Sequence, residues 1–157
     1  MNKPVKTYTP LMSEVLTKVN NAKTKDKKIE ILKEHDSEPL RMLIKSSFDP
    51  KIKWVMPEGN VPYKPNEAPE GTEHTLLSQE VRKFWHYIEG ADNKTPRMRK
   101  ETMFIQMLEG LHKSEAEVVC YAKDKVLHQK YKGLSDAVVK AAFGWTDDYW
   151  MPNGNII

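Results

Sequence analysis

A chain of 157 residues, 39% hydrophobic and 30% charged with a mean hydropathy of −0.68, has the size and composition of one soluble domain with its own core. No apolar run approaches the roughly 18 residues of a spanning helix, and no apolar stretch follows Lys3 and Lys6 to make a secretory leader. The single cysteine, Cys120, excludes an internal disulfide and a multi-cysteine zinc site, and points to a reducing cytoplasm.

Thr9 and Pro10 predict the first helix start, as N-cap and first-turn proline. Leu11, Val15, Leu16 and Val19 then recur at helical spacing until Asn20-Asn21. Thr24 caps a short, very basic helix with Ile29 and Leu32 on its apolar side. Ser37-Glu38-Pro39 opens a third, carrying Leu40, Leu43, Ile44 and Ser47. Residues 10–48 thus form a basic helical block.

Residues 49–71 hold five of the ten prolines, a density of missing amide donors that no regular element survives. Trp54, Val55, Met56 and Tyr63 are residues that a disordered linker rarely carries. The segment reads as an extended, ordered loop with its aromatics packed on the body. A binding loop is the other reading.

The helical core spans 72–144. Its longest helix runs from Thr72 to Glu89, with Leu77, Val81, Phe84, Trp85 and Ile88 as an apolar stripe and Gly90 as its stop. Phe84 and Trp85 are expected in the core. Thr95-Pro96 opens the next helix, with Met103, Phe104, Met107, Leu108 and Leu111 facing inward and Gly110 ending it. Ser114 and Glu117 form a capping box for a helix reaching His128. Ser135 caps Asp136 to Phe143, and Gly144 closes it. No segment sustains period-two alternation, so the fold class is all-α: a single-domain small helical bundle, 1–157, with a long Pro-rich ordered loop.

The net charge of +3 is too small to announce a nucleic-acid protein, but its distribution is uneven. Residues 1–53 carry +5, 54–95 carry −3, 96–132 carry +3 and 133–157 carry −2. Local clusters are Lys23, Lys25, Lys27 and Lys28; Arg97, Arg99 and Lys100; and Lys123, Lys125, Lys130 and Lys132. Such clusters neutralise phosphates or meet an acidic partner, or else form solvated helix faces.

No catalytic constellation stands out. The five histidines (35, 74, 86, 112 and 128) never pair at metal-binding spacing. Cys120, beside Val118 and Val119, reads as a small buried hydrophobe. Asp147-Asp148 is a weak magnesium signal, and no glycine loop cradles a phosphate. The expectation is a non-enzyme with no metal and no cofactor.

The tail 145–157 combines Trp145, Tyr149 and Trp150 with Asp147 and Asp148. Aromatic anchors beside acids suit a linear docking motif for a protein partner. Alternatively, the tail folds back and closes the core.

Leu111 to Val119, followed by Gly133-Leu134-Ser135 and Val138-Val139 through Phe143-Gly144, is similar to a helix-turn-helix scaffold of the sigma-region-four and response-regulator kind. Acids stand where a recognition helix needs cations, so this likeness is to a helical hairpin and implies no base reading. A second resemblance covers about residues 10–150. It rests on Asp49-Pro50-Lys51-Ile52-Lys53-Trp54, the stretch from Pro62-Tyr63-Lys64-Pro65-Asn66 to His74, Gln106 through Glu117, and Ala142-Phe143-Gly144-Trp145 with Asp147-Asp148. In these the chain resembles a family of uncharacterised small proteins of T-even-like tailed phages, of the marine myophage type. The resemblance implies a phage setting and no activity.

The resulting expectation is an accessory protein in the host cytoplasm, a monomer or weak oligomer, binding phage or host replication or transcription machinery and no membrane. Sequence-independent nucleic-acid binding through the basic clusters and a virion structural role are the alternatives.

Overall fold

The computed structural model describes residues 10–69 and 74–149. Among these residues no strand forms, only three isolated bridges, and the fold is an all-α bundle.

The first three helices follow from their caps and apolar spacing. α1 (Met12–Asn21) begins two residues after Pro10, and Thr9 lies outside the described residues. Leu11 holds the cap position without a side-chain acceptor, so Glu14 reaches back to the Leu11 amide at 2.7 Å. α2 (Lys25–Glu34) and α3 (Glu38–Phe48) start where their caps predict. Thr24 Oγ1 accepts from the Lys27 amide at 3.2 Å and Ser37 Oγ from the Leu40 amide at 3.3 Å.

The long helix expected over 72–89 is replaced by two short pieces. α4 covers Leu77–Glu80, and the chain then tightens into a 3-10 helix over Val81–Tyr87, while Thr72 lies outside the described residues. The winding changes which residues are buried. At three residues per turn Val81, Phe84 and Tyr87 share one face, and all three are buried. Trp85 rotates out of the expected stripe and is 49% exposed. Its assignment to the core was an α-helical reading of a 3-10 segment.

α5 (Arg97–Gly110) carries Pro96 at its cap position rather than in its first turn, so Thr95 does not cap it. Asp92 instead accepts from the Lys94 and Thr95 amides at 3.0 and 3.2 Å. α6 (Lys113–Lys123) is capped by His112, whose Nδ1 accepts from the Ser114 amide at 3.1 Å. The expected Ser114–Glu117 box therefore does not form. The helix also stops before His128: Lys125 takes φ +60°, and a separate turn, α7 (Leu127–Lys130), follows. α8 (Asp136–Phe143) has its cap at Ser135, which accepts from the Val138 amide at 3.3 Å, and its left-handed stop at Gly144.

α6 occupies the middle of the bundle, against α1, α3, α5 and α7, while α2 packs on α1 and α8. Its two ends are polar grips. Glu115, buried to 2%, accepts from the Met12 amide at 2.9 Å and the Leu77 amide at 3.1 Å, so one carboxylate meets the amino ends of α1 and α4. At the other end, Lys123 donates to the carbonyls of Pro57 and Gly59 at 2.7 and 3.2 Å. Lys125 donates to those of Asp49 and Ile52, both at 2.6 Å. These ammonium groups hold the proline-rich loop, which has no helix over its described residues 49–69. Trp54 from that loop packs edge-on against Phe84 at 5.1 Å and donates through its indole N–H to the Ser46 carbonyl at 3.1 Å. Met56 is buried and Tyr63 half-buried. No helix among the described residues is long and apolar enough to cross a membrane.

The change of winding has a measurable consequence. Phe84→Ala should cost roughly 3–5 kcal/mol in a urea melt, whereas Trp85→Ala, at a half-exposed position, should cost much less.

Burial pushes the Glu115 carboxyl above its ordinary 4.5, against the two amide hydrogen bonds that favour its charged form. A carboxyl whose folded-state value is raised stabilises the fold most when protonated, and that contribution falls as pH rises from about 4.5 through the folded-state value. Glu115→Gln presents a donor to one of the two amides and should cost about 1–3 kcal/mol. Melts across pH should show the gap between wild type and variant narrowing as pH rises through that window.

A basic corner as the candidate nucleic-acid interface

The carboxyl-terminal residues read from sequence as docking anchors are packed inward as far as the described residues reach. Trp145 follows the Gly144 stop, donates its amide to the Lys140 carbonyl at 3.1 Å, and is 6% exposed, with its ring 4.9 Å from that of Phe143. Tyr149 is 8% exposed, takes φ +60°, and donates its hydroxyl to Asp136. Its carbonyl accepts from Lys45, and that of Asp148 accepts from Lys51 at 2.8 Å. Asp147 is fully exposed and 3.3 Å from Lys140, and Trp150 lies outside the described residues. Burial, then the bond to Asp136, pushes the Tyr149 hydroxyl up to about 12. Over 145–149 the tail closes the core, leaving Trp145 and Tyr149 little apolar area for a partner.

The basic residues divide by geometry. Lys100 is buried and donates to the Asp92 carbonyl at 2.6 Å, so it leaves the set of phosphate contacts. Arg97 is exposed and paired with Glu101 at 3.2 Å, and Arg99 is exposed. Lys123 and Lys125 are the loop grips already described. Burial lowers the Lys125 ammonium, with Asp49 opposing it.

The amino-terminal cluster stays at the surface. Lys23, Lys25 and Lys27 are exposed, with Lys27 3.4 Å from Glu30, while Lys28 is half-buried and donates to the Ala22 carbonyl. The turn around Gly133 docks against this cluster. The Gly133 amide donates to Asn20 Oδ1 at 2.8 Å, and a Cβ at this position would lie 2.6 Å from Lys28 Cε and 2.9 Å from Asn20 Cα. Only glycine permits that approach. It places the exposed Lys132 beside the junction of α1 and α2, with the exposed Lys18 in the last turn of α1.

The docked turn thus brings the segment of Lys132 to that of Lys18, Lys23, Lys25 and Lys27, more than 100 residues away in sequence. Asp26 and Glu30, both exposed, lie on α2 with Lys25 and Lys27. Sequence reasoning missed Lys18 and separated Lys132 from the cluster. Gly133 was the available signal, since a glycine between Lys132 and a helix cap marks a close approach.

Burial pushes the Cys120 thiol up to about 11 and holds it in its protonated, unreactive form at neutral pH.

These features describe a small all-α protein with Trp145 and Tyr149 packed into its core and a lysine-rich corner. A family model described as a family of unknown function, DUF6433, matches residues 15–129, and the chain belongs to that family. The match runs from within α1 to α7 and includes Glu115 and both loop-gripping lysines; the α8 segment and the tail lie beyond it. No curated protein and no solved structure matches the chain.

If the tail closes the core, Tyr149→Ala should cost about 3 kcal/mol or more. At roughly 2–4 °C per kcal/mol for a domain of this size, a thermal melt should show a drop of at least several degrees.

Proposed function

We propose that this chain is a non-enzymatic accessory protein that joins replication or transcription machinery in a phage-infected cell by holding the phosphate backbone of nucleic acid at its basic corner. The phage setting draws on the resemblance of the proline-rich loop and its flanking stretches. The supporting observation for the contact is the docking of Gly133, next to the exposed Lys132, against Asn20 and Lys28, which flank the exposed Lys23, Lys25 and Lys27 in the chain.

The placement of these charges is locally unfavourable. Lys25, Lys27 and Lys28 fall at the amino end of α2, where the helix dipole and unpaired amides already make the potential positive, with Asp26 the acid of the first turn. Cations there cost stability, and a bound polyanion offsets that cost. Lysines on flexible stems contact phosphates as point charges, without reading bases. The reading is therefore of sequence-independent binding.

Replacing Lys23, Lys25, Lys27 and Lys132 by glutamine tests it. Binding of a fluorescent duplex, followed by anisotropy across a salt series, should weaken with salt in the wild type. Each phosphate contact removed should reduce the log–log slope by about 0.9. The variant should melt at or above the wild-type temperature, since like charges have been removed. Salt-independent binding, or a variant that binds as the wild type does, would refute the corner.

A further inference from the structure

Among the described residues, Trp85 is the largest side chain that the fold leaves half in solvent. Its position is fixed rather than incidental. The Trp85 and His86 rings stack at 3.8 Å with an interplanar angle of 29°, and His86 Nδ1 lies 2.8 Å from Asp92 Oδ2. The His86 ring, and after it the Thr95 hydroxyl, hold the buried Asp92 carboxyl well below the usual carboxylate range. An ionised carboxylate only accepts, so His86 Nδ1 carries the proton and the ring cannot turn without losing that bond. A buried acid orients the histidine, and the histidine supports one side of the indole.

The 3-10 winding adds a cation. Residues three apart eclipse on such a helix, so Arg82 lies above Trp85 on the exposed face, one turn earlier. Among the described residues no hydrogen bond or ion pair engages the Arg82 guanidinium. Lys83 is exposed on the adjoining face and paired with Glu80 at 3.3 Å, and Lys53 is exposed where its carbonyl accepts from the Glu89 amide at 2.7 Å. Beside the indole opens a groove of about 170 Å³, walled by Met42, Ile52, Phe84, Ile88 and Ala91. A flat aromatic surface beside an apolar groove, with positive side chains around it, is complementary to a flat apolar ring carried on an anionic chain. That is an unpaired nucleobase on its phosphate backbone.

We infer that Trp85, supported by His86, is a stacking platform for an unpaired base of single-stranded nucleic acid, with Arg82 placed to meet the adjoining phosphate. The inference rests on the proposed nucleic-acid reading and gives it a strand preference: the lysine corner contributes charge, and the platform selects bases out of a helix. Every base has a π-face, so the platform is tolerant of sequence. The same exposed indole could meet an apolar side chain of a protein, and the test separates the two.

The experiment compares two 20-nucleotide probes at low salt, an oligothymidylate and an abasic deoxyribose-phosphate oligomer of equal charge, against wild type, Trp85→Ala, Trp85→Phe and the four-lysine variant. The wild type should bind the base-bearing probe about ten-fold more tightly than the abasic one, the contribution of one stacked base. Trp85→Ala should abolish that ratio while keeping the salt slope, and Trp85→Phe should restore most of it. The four-lysine variant should lose affinity for both probes and keep the ratio. A wild type that binds both probes equally overturns the platform and leaves the corner standing. A ratio that survives in Trp85→Ala also overturns it. No binding of either probe overturns both readings. If Trp85→Ala unfolds, the wild-type ratio together with the Trp85→Phe comparison still decides.

Discussion

The carboxylate of Glu115 is the constraint on which the bundle is built. The amino ends of α1 and α4 arrive at it with unpaired amides, Met12 and Leu77, and neither cap position there offers a side-chain acceptor. Burying such donors without partners costs more than a typical hydrogen bond returns. One ionisable group from α6 satisfies both, and in doing so sets the distance and angle of two elements far apart in sequence. The other end of α6 uses the opposite charge for the opposite problem. A segment rich in proline leaves carbonyls without partner amides, and the ammonium groups of Lys123 and Lys125 take up three of them, at Ile52, Pro57 and Gly59, and share that of Asp49 with the Ile52 amide. A helix of 11 residues thereby positions its neighbours by polar contacts at both ends, while Val118, Val119 and Ala122 fill the core between.

This division explains which parts of the fold were legible in the sequence. Thr24, Ser37 and Ser135 cap helices that begin beside them, and the bond each makes spans three residues. Local chemistry of that kind is readable one residue at a time. Ser114 and Glu117 have the same spacing and fail, because His112 caps first and Ser114 turns to Ser13 across the interface at 2.8 Å. The acid that matters is Glu115, one residue inside the supposed box, and its partners lie 103 and 38 residues away. No periodicity carries that information. Leu77 to Ile88 fails differently: a 3.6 repeat collects Val81, Phe84, Trp85 and Ile88 on one face, whereas the 3-10 winding buries Val81, Phe84 and Tyr87 and leaves Trp85 half in solvent.

The candidate site was legible by composition and illegible by assembly. Lys23, Lys25 and Lys27 were visible as a cluster and remain exposed. Lys100, Lys123 and Lys125 look the same in sequence, yet each donates its ammonium protons to backbone carbonyls. Charge alone cannot tell a phosphate ligand from a structural staple, since both need a cation on a long stem. What separates them is the supply of unpaired carbonyls nearby, and that depends on the loop path.

The aromatic residues sort by the same logic, and the sorting shifts where function can lie. Trp145 and Tyr149 had the composition of a docking motif, but a left-handed stop at Gly144 turns the chain back, and Lys45 and Lys51 hold its carbonyls against α3 and the start of the loop. Trp54 is drawn in by its bond to Ser46 and its packing on Phe84. Trp85 remains outside, and a buried acid, Asp92, fixes the histidine that supports it. Elsewhere this fold uses buried charges to satisfy backbone groups that would otherwise lack partners. At Asp92 one carboxylate oxygen does that for Lys94 and Thr95, while the other fixes a ring whose neighbour is exposed. Ordering a surface aromatic in this way adds little to folding and leaves less side-chain entropy to lose when a ligand stacks on it.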